Sequence, residues 1–259
     1  MDGKVNGIHW SASGVPDPAR PSLLFIHGAG GNRAAWWQQF SAFAPMHHVI
    51  AYDLPGFGQS DPLVSADWRA EMVGAATAVL AAAGARRAHV ICQSLGGWTG
   101  VRLALERPDL VDRLVLCCTL AGIAHPPGLA AFASAFAQMD ERGPASMGLT
   151  PAFEAEAPLM ALLYREVGAF NPQQDAALAQ RLFDPDLLVS PDALAAIAAP
   201  VLLLSGAEDP IWPPESLTGL VPHFADARQA VIAGTGHSPY FERPTAFNAH
   251  IAEFLSLDA

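Results

Sequence analysis

Val90 to Trp98 reads VICQSLGGW, and the architecture of the chain follows from these nine residues. A short apolar run ends at Gln93, a single serine follows, and Gly96 and Gly97 open what reads as a helix. A strand, a sharp turn and a helix crossing this closely need small residues, because a side chain there would meet neighbouring backbone. The stretch fits the pattern Gly-x-Ser-x-Gly except at its first position, where Cys92 stands for glycine. Cysteine is small, and we expect it to fit. Such a turn holds Ser94 in a strained backbone conformation at the start of a helix, whose N-terminus favours developing negative charge.

Similar apolar runs recur on both sides of it: SLLFIHG (22–28), HVIAYD (48–53), RLVLCCT (113–119), PVLLLSG (200–206) and QAVIAG (229–234). Their length and Val/Ile/Leu content suit strands buried on both faces. Helical segments separate them. Ala66 to Ala83 spaces Trp68, Met72, Val79 and Leu80 along one face and stops at Gly84, Leu95 to Arg107 stops before Pro108, and Thr245 to Leu257 aligns Phe247, Ile251, Phe254 and Leu255. Strand and helix in alternation give an α/β architecture with a mostly parallel sheet. KVNGIHW near the start is expected to add an antiparallel edge strand. From about Gly122 to Ala199 the alternation stops. Three helical segments broken by prolines (GLAAFASAFAQMDERG, PLMALLYREVG and PQQDAALAQRLF) stand there instead, an excursion too long for a loop.

A chain of 259 residues with 51% apolar and 15% charged residues can bury roughly 70–75% of its unfolded surface without staples. The net charge of −11 opposes binding to nucleic acid or anionic membranes, since no cationic face is evident to displace phosphate counterions. Cys92, Cys117 and Cys118 have neither disulfide nor metal spacing and read as buried thiols in a reducing compartment. MDGKVNGIHW has no apolar signal core, and no run of 18 apolar residues occurs, so a cytoplasmic location is expected.

A serine hydroxyl is a weak nucleophile unless an oriented base removes its proton. Among nine histidines, His237 in AGTGHSPYFERP follows a strand-like run and sits among glycines that suit a loop presenting a ring; His47, His48, His89, His125, His223 and His250 lack such a setting. For the acid, SGAEDPIWPP places Asp209, with Glu208 beside it, on the loop leaving a strand, the edge where ligands gather in open α/β sheets. Asp209, next to Pro210, is preferred, and Asp53 and Asp61 in YDLPGFGQSD read as turn stabilisers. HGAGGN (27–32) lets backbone N–H groups approach a reacting oxygen, so the amides of Ala29 and Leu95 are candidate oxyanion donors, with His27 bracing that loop. Trp212 is a candidate pocket wall. The plain alternative for Ser94 and His237 is an inert turn serine and a surface histidine.

Taken in order, HGAGGN, YDLPGFGQSD, CQSLGG, GAEDP and TGHSPYFERP resemble the α/β-hydrolase superfamily, as does the chain order Ser94, Asp209, His237. The resemblance implies an eight-stranded, mostly parallel sheet flanked by helices, with a helical cap (122–199) inserted after the sixth strand into a core formed by 1–121 and 200–259. It further implies an enzyme with no cofactor and no metal, in which Ser94 attacks a carbonyl, His237 is the base, Asp209 orients it, and Ala29 and Leu95 hold the oxyanion. A small carboxylic ester or lactone is the expected substrate. Hydrolysis of a carbon–carbon bond in a dienol diketone, a cofactor-free perhydrolase and a non-turnover ligand receptor are the competing functions. A serine rather than a carboxylate at 94 opposes dehalogenase chemistry. Oligomeric state is left open by the sequence.

Overall fold

The computed structural model describes residues 1–63, 67–139, 146–172 and 182–256. Eight strands form one sheet in the order β1-β2-β4-β3-β5-β6-β7-β8. They are β1 (Asp2–Val5), β2 (Ile8–Ser13), β3 (Ser22–Ile26), β4 (Val49–Tyr52), β5 (Ala88–Gln93), β6 (Val111–Cys117), β7 (Val201–Gly206) and β8 (Ala227–Ile232). β3 to β8 run parallel, and β1 and β2 are antiparallel additions at one edge. The expected single edge strand is thus a two-stranded hairpin. Its reason is Asn6-Gly7, whose φ angles of 48° and 81° suit the tight turn that matches strand twist.

Alternation along each central strand divides the core into two layers. Leu24, Ile26, Val90, Cys92, Leu114, Leu116 and Leu203 belong to one buried cluster, while Leu23, Phe25, Ile91, Val115, Cys117, Leu202 and Leu204 belong to the other. Helices α1 (Trp37–Phe43), α2 (Trp68–Ala82) and α3 (Gly96–Glu106) stand between strands. The first cluster takes Trp68, Met72 and Val79 of α2 and Val101 of α3.

Between β6 and β7 the chain forms α4 (Pro126–Ala137), α5 (Pro151–Glu156) and α6 (Pro158–Ala169), with short 3-10 turns at Pro185–Leu187 and Pro191–Ala196. Among the described residues this excursion holds no strand, and a single bridge pairs Ile123 with Val189. Most of the helical segment expected over PQQDAALAQRLF lies outside the described residues. Proline opens α4, α5 and α6, where its missing N–H costs no helical bond. The short α7 (Pro214–Thr218) follows β7, and α8 (Pro239–Glu242) and α9 (Pro244–Leu255) follow β8. Among the described residues no helix is long and apolar enough to cross a membrane.

The departure at Cys92 has a structural counterpart one helical turn into α3. A Cβ placed on Gly100 would run into Cys92 Sγ, so the helix supplies the space that glycine would have supplied on the strand. Gly100→Ala is expected to cost about 1–3 kcal/mol by overpacking. Adding Cys92→Gly to Gly100→Ala is expected to recover part of that loss, with a coupling of about 0.5–3 kcal/mol. Urea unfolding of the four proteins measures it, and strict additivity would refute the pairing.

Candidate active site

Because β3, β5, β7 and β8 are parallel, the loops leaving them emerge on one edge of the sheet. Ser94 is the first residue beyond β5, at φ +47°, a left-handed conformation that costs a non-glycine residue roughly 1–2 kcal/mol. Its backbone is held on both sides. Ser94 N–H donates to the Cys117 carbonyl at 3.0 Å, and its own carbonyl accepts from Thr119 Oγ1 at 2.6 Å and Gly97 N–H at 2.9 Å. A Cβ on Gly96 would sit 2.5 Å from the Ile26 carbonyl oxygen, so only glycine lets α3 begin this close to β3.

Asp209 and His237 are brought together. His237 Nδ1 lies 3.1 Å from each carboxylate oxygen of Asp209. Asp209 is held by its own loop, since Oδ1 also accepts from Ile211 N–H at 2.9 Å and Trp212 N–H at 3.2 Å. The neighbouring Glu208 is exposed, on the solvent side of the loop. His237 is tied to the serine loop through its backbone, whose carbonyl accepts from Gln93 Nε2 at 2.9 Å. Among the described residues Ser94 Oγ makes no hydrogen bond to the imidazole, a contact that in unliganded sites is often long and tightens around substrate.

The HGAGGN loop passes beside the serine: a Cβ on Gly28 would come within 2.8 Å of Ser94 Cβ. Among the described residues neither Ala29 N–H nor Leu95 N–H donates to a protein acceptor, leaving both amides available. His27 lies beneath this loop. Leu54 N–H donates to its Nε2 at 2.9 Å, so Nδ1 carries the proton and donates to the Gly28 carbonyl at 2.8 Å. Burial is the main cause of a His27 pKa lowered to about 4. The unfolded chain therefore takes up a proton below pH 6.5 that the folded chain refuses until about pH 4. Stability from His27 is fully present above pH 6.5 and falls as pH drops toward 4, by about 2–3 kcal/mol at pH 4.5. Urea unfolding at pH 7 and 4.5 checks this, and His27→Gln is expected to show a correspondingly smaller acid loss.

Asp53 serves its turn, whereas the Asp61 carboxylate ties the loop to β1. Asp53 accepts from Arg33 and Gln59 backbone N–H groups at 2.8 and 2.9 Å and pairs with the Arg33 guanidinium, while Asp61 pairs with Lys4 at 2.8 Å. A surface groove of about 610 Å³ beside Trp37, Phe40 and Phe170 contains none of Ser94, Asp209 or His237.

The excursion between β6 and β7 touches these loops repeatedly. Trp212 Nε1 donates to the Gly128 carbonyl at 3.0 Å, and Trp98 Nε1 to the Leu182 carbonyl at 3.2 Å. The Trp212 ring lies 5.9 Å from that of His237 and stacks on Phe132 at 5.6 Å, and Phe132 and Trp98 in turn contact Phe183. Sequence reasoning singles out Trp212 but not Trp98, whose spacing of four from Ser94 could have suggested it. It also passes over Glu242. That buried carboxylate accepts from Gly236 N–H at 2.7 Å, Thr150 N–H at 2.9 Å and Thr150 Oγ1 at 2.6 Å, joining the histidine loop to the excursion. An acid inside the aromatic run SPYFE was its available signal.

Comparison with known proteins agrees with this architecture. The chain is 29% identical to the protein named "Putative carbamate hydrolase RutD" from Caulobacter sp. (strain K31), over 100% of this chain and 99% of that one. It is 28% identical to 3-oxoadipate enol-lactonase 2 of Acinetobacter baylyi, covering 93% of this chain and 90% of the relative. A thermophilic esterase from Thermogutta terrifontis shares the fold with a TM-score of 0.79 at 23% identity, over 96% of this chain and 93% of that one. Residues 23–250 match the family model, and the chain belongs to the alpha/beta hydrolase family.

Proposed function

We propose that this hydrolase cleaves a small carboxylic ester or lactone through an acyl-enzyme on Ser94. The observation that carries the reading is the imidazole of His237 held 3.1 Å from both oxygens of Asp209, on loops that share a sheet edge with a strained serine. With Nδ1–H donated to the carboxylate, Nε2 is left as the base. Ser94 Oγ gives its proton to Nε2 as it bonds to the carbonyl carbon, and the oxygen that becomes negative is held by the N–H groups of Ala29 and Leu95. Such a donor is typically worth ~2.7–4 kcal/mol of barrier. His237 then protonates the leaving alkoxide oxygen. In the second half it takes a proton from water, whose hydroxide attacks the acyl carbon, and returns that proton to Ser94 as the acid departs. Asp209 fixes the tautomer and balances the transient imidazolium.

The names of the carbamate hydrolase and the enol-lactonase support a carbonyl attached to a heteroatom leaving group, whereas a 27% identical relative from Cupriavidus pinatubonensis named 2-hydroxy-6-oxononadienedioate/2-hydroxy-6-oxononatrienedioate hydrolase keeps the carbon–carbon alternative in play. A carbamate, an enol-lactone and an ester all pass through the same tetrahedral intermediate. In this reading residues 122–199 form the cap, whose Phe132 and Phe183 pack on Trp98 and Trp212 of the core, and this apolar boundary favours small, uncharged substrates. The test is a panel of esters, beginning with p-nitrophenyl acetate, followed by intact-protein and peptide mass measurement. Steady turnover with an acyl mass trapped on Ser94 is expected. Stoichiometric acylation with no turnover would replace the enzyme by a receptor, and acylation at another residue would remove the mechanism.

A further inference from the structure

A third heteroatom lies beside the carboxylate and the imidazole. Cys118 is the first residue beyond β6, at φ +48°. Its Sγ, an oxygen of Asp209 and a nitrogen of His237 all lie within 4.8 Å of one another, and all three residues are buried. We propose that these side chains form a chelating site for a soft divalent cation of the Zn²⁺ and Cd²⁺ class, and that filling it switches off the hydrolysis, a consequence that rests on the function proposed above.

Thiolate, imidazole and carboxylate are the donors that tetrahedral zinc takes. Bonds of about 2.3 Å to sulfur and 2.0–2.1 Å to nitrogen and oxygen place sulfur about 3.5 Å from the other donors, and nitrogen about 3.3 Å from oxygen. The Asp209–His237 separation of 3.1 Å is close to the second spacing, but Nδ1 now faces both carboxylate oxygens, so the ring must turn to admit a cation while the sulfur closes in by up to about 1 Å. What holds Cys118 Sγ is weak: it accepts from Gly206 N–H at 3.4 Å and lies 3.8 Å from both the Gly236 carbonyl oxygen and Cys117 Sγ. A small rotation about its Cα–Cβ bond therefore loses little.

Charge favours the complex. A dication, one thiolate and one carboxylate sum to zero, which a buried site tolerates far better than an isolated ion. The binding step balances without any oxidant or reductant. The Cys118 S–H bond breaks, its proton leaves to solvent, and the sulfur lone pair goes to the cation. The imidazole proton shifts from Nδ1 to Nε2 so that Nδ1 can coordinate. An imidazole with Nε2–H has no lone pair for the serine proton, so the base is lost while the fold is kept. Because the donors are buried, onset should be slow and should follow loop opening.

The untagged protein is titrated with Cd²⁺ while the near-ultraviolet thiolate-to-metal charge-transfer band, proton release and ester turnover are followed. One Cd²⁺ per chain, one proton released, a band, and inhibition reversed by EDTA are expected, with Mg²⁺ giving none of these. Cys118→Ser should remove the band and weaken binding by at least about tenfold, and Asp209→Asn should weaken binding although that variant is already inactive. Cys92→Ala, whose thiol packs against Gly100, should keep the band. Absence of a band in the native protein, or its persistence in Cys118→Ser, overturns the site. A band with the expected stoichiometry in a protein that turns over no ester would leave the site standing and remove the function instead.

Discussion

Ser94→Ala is expected to lower kcat for ester hydrolysis on the order of 10⁶-fold, with the residual rate coming from binding and the oxyanion amides. The effect should be chemical and not structural. The contacts that hold this turn run through the Ser94 backbone, to Cys117, Thr119 and Gly97, and alanine retains all of them. Substrate binding should survive, so the loss falls on kcat and not on KM. A second variant separates the hydroxyl from the backbone strain. At φ +47° glycine has no Cβ to crowd, so Ser94→Gly should be more stable than Ser94→Ala by about 1 kcal/mol while equally inactive. An alanine variant retaining more than a hundredth of wild-type turnover, after active-site titration to exclude contamination, would end the case for Ser94 as nucleophile.

How much of this was legible depends on the range of the interaction involved. The strands were readable because each is a short apolar run bounded by turn residues, and β5 ends at Gln93 as read, while neighbours such as β3 and β6 moved by about two residues. Helix ends moved little for the same reason: Gly84 and Pro108 are local stops. What the sequence could not carry was lateral order. That β6 lies between β5 and β7 is what puts Cys118 beside Asp209 and His237, and nothing in RLVLCCT announces it; the two adjacent cysteines read only as buried thiols. Cys92 looked like a flaw in a motif because its compensation sits eight residues away, at Gly100, where strand and helix meet in space. Glu242 was overlooked because an acid in an aromatic run signals burial without saying which amides it accepts from. Trp212 was legible through its distance of three residues from Asp209, whereas the matching role of Trp98 depends on where the excursion's Leu182 carbonyl falls.

Asp209→Asn is expected to reduce kcat by about 10⁴-fold with the fold intact. The reason can be followed atom by atom. The side-chain oxygen of the substituted asparagine can still accept from Ile211 and Trp212 N–H, the two bonds that hold Asp209 Oδ1 at 2.9 and 3.2 Å. That choice turns the NH₂ toward His237 Nδ1. An amide donor opposite Nδ1 requires a lone pair there, which moves the ring proton to Nε2 and removes the base that Ser94 needs. Unfolding in urea should therefore change little, while turnover collapses. Glu208→Gln supplies the comparison. Its carboxylate is adjacent in sequence but exposed, so neutralising it should leave kcat within about twofold, as for a surface charge screened by solvent. If Glu208→Gln proved the damaging change and Asp209→Asn stayed within tenfold of wild type, the imidazole would be oriented from the solvent side, and the buried pair at 3.1 Å would be a structural contact without a part in the chemistry.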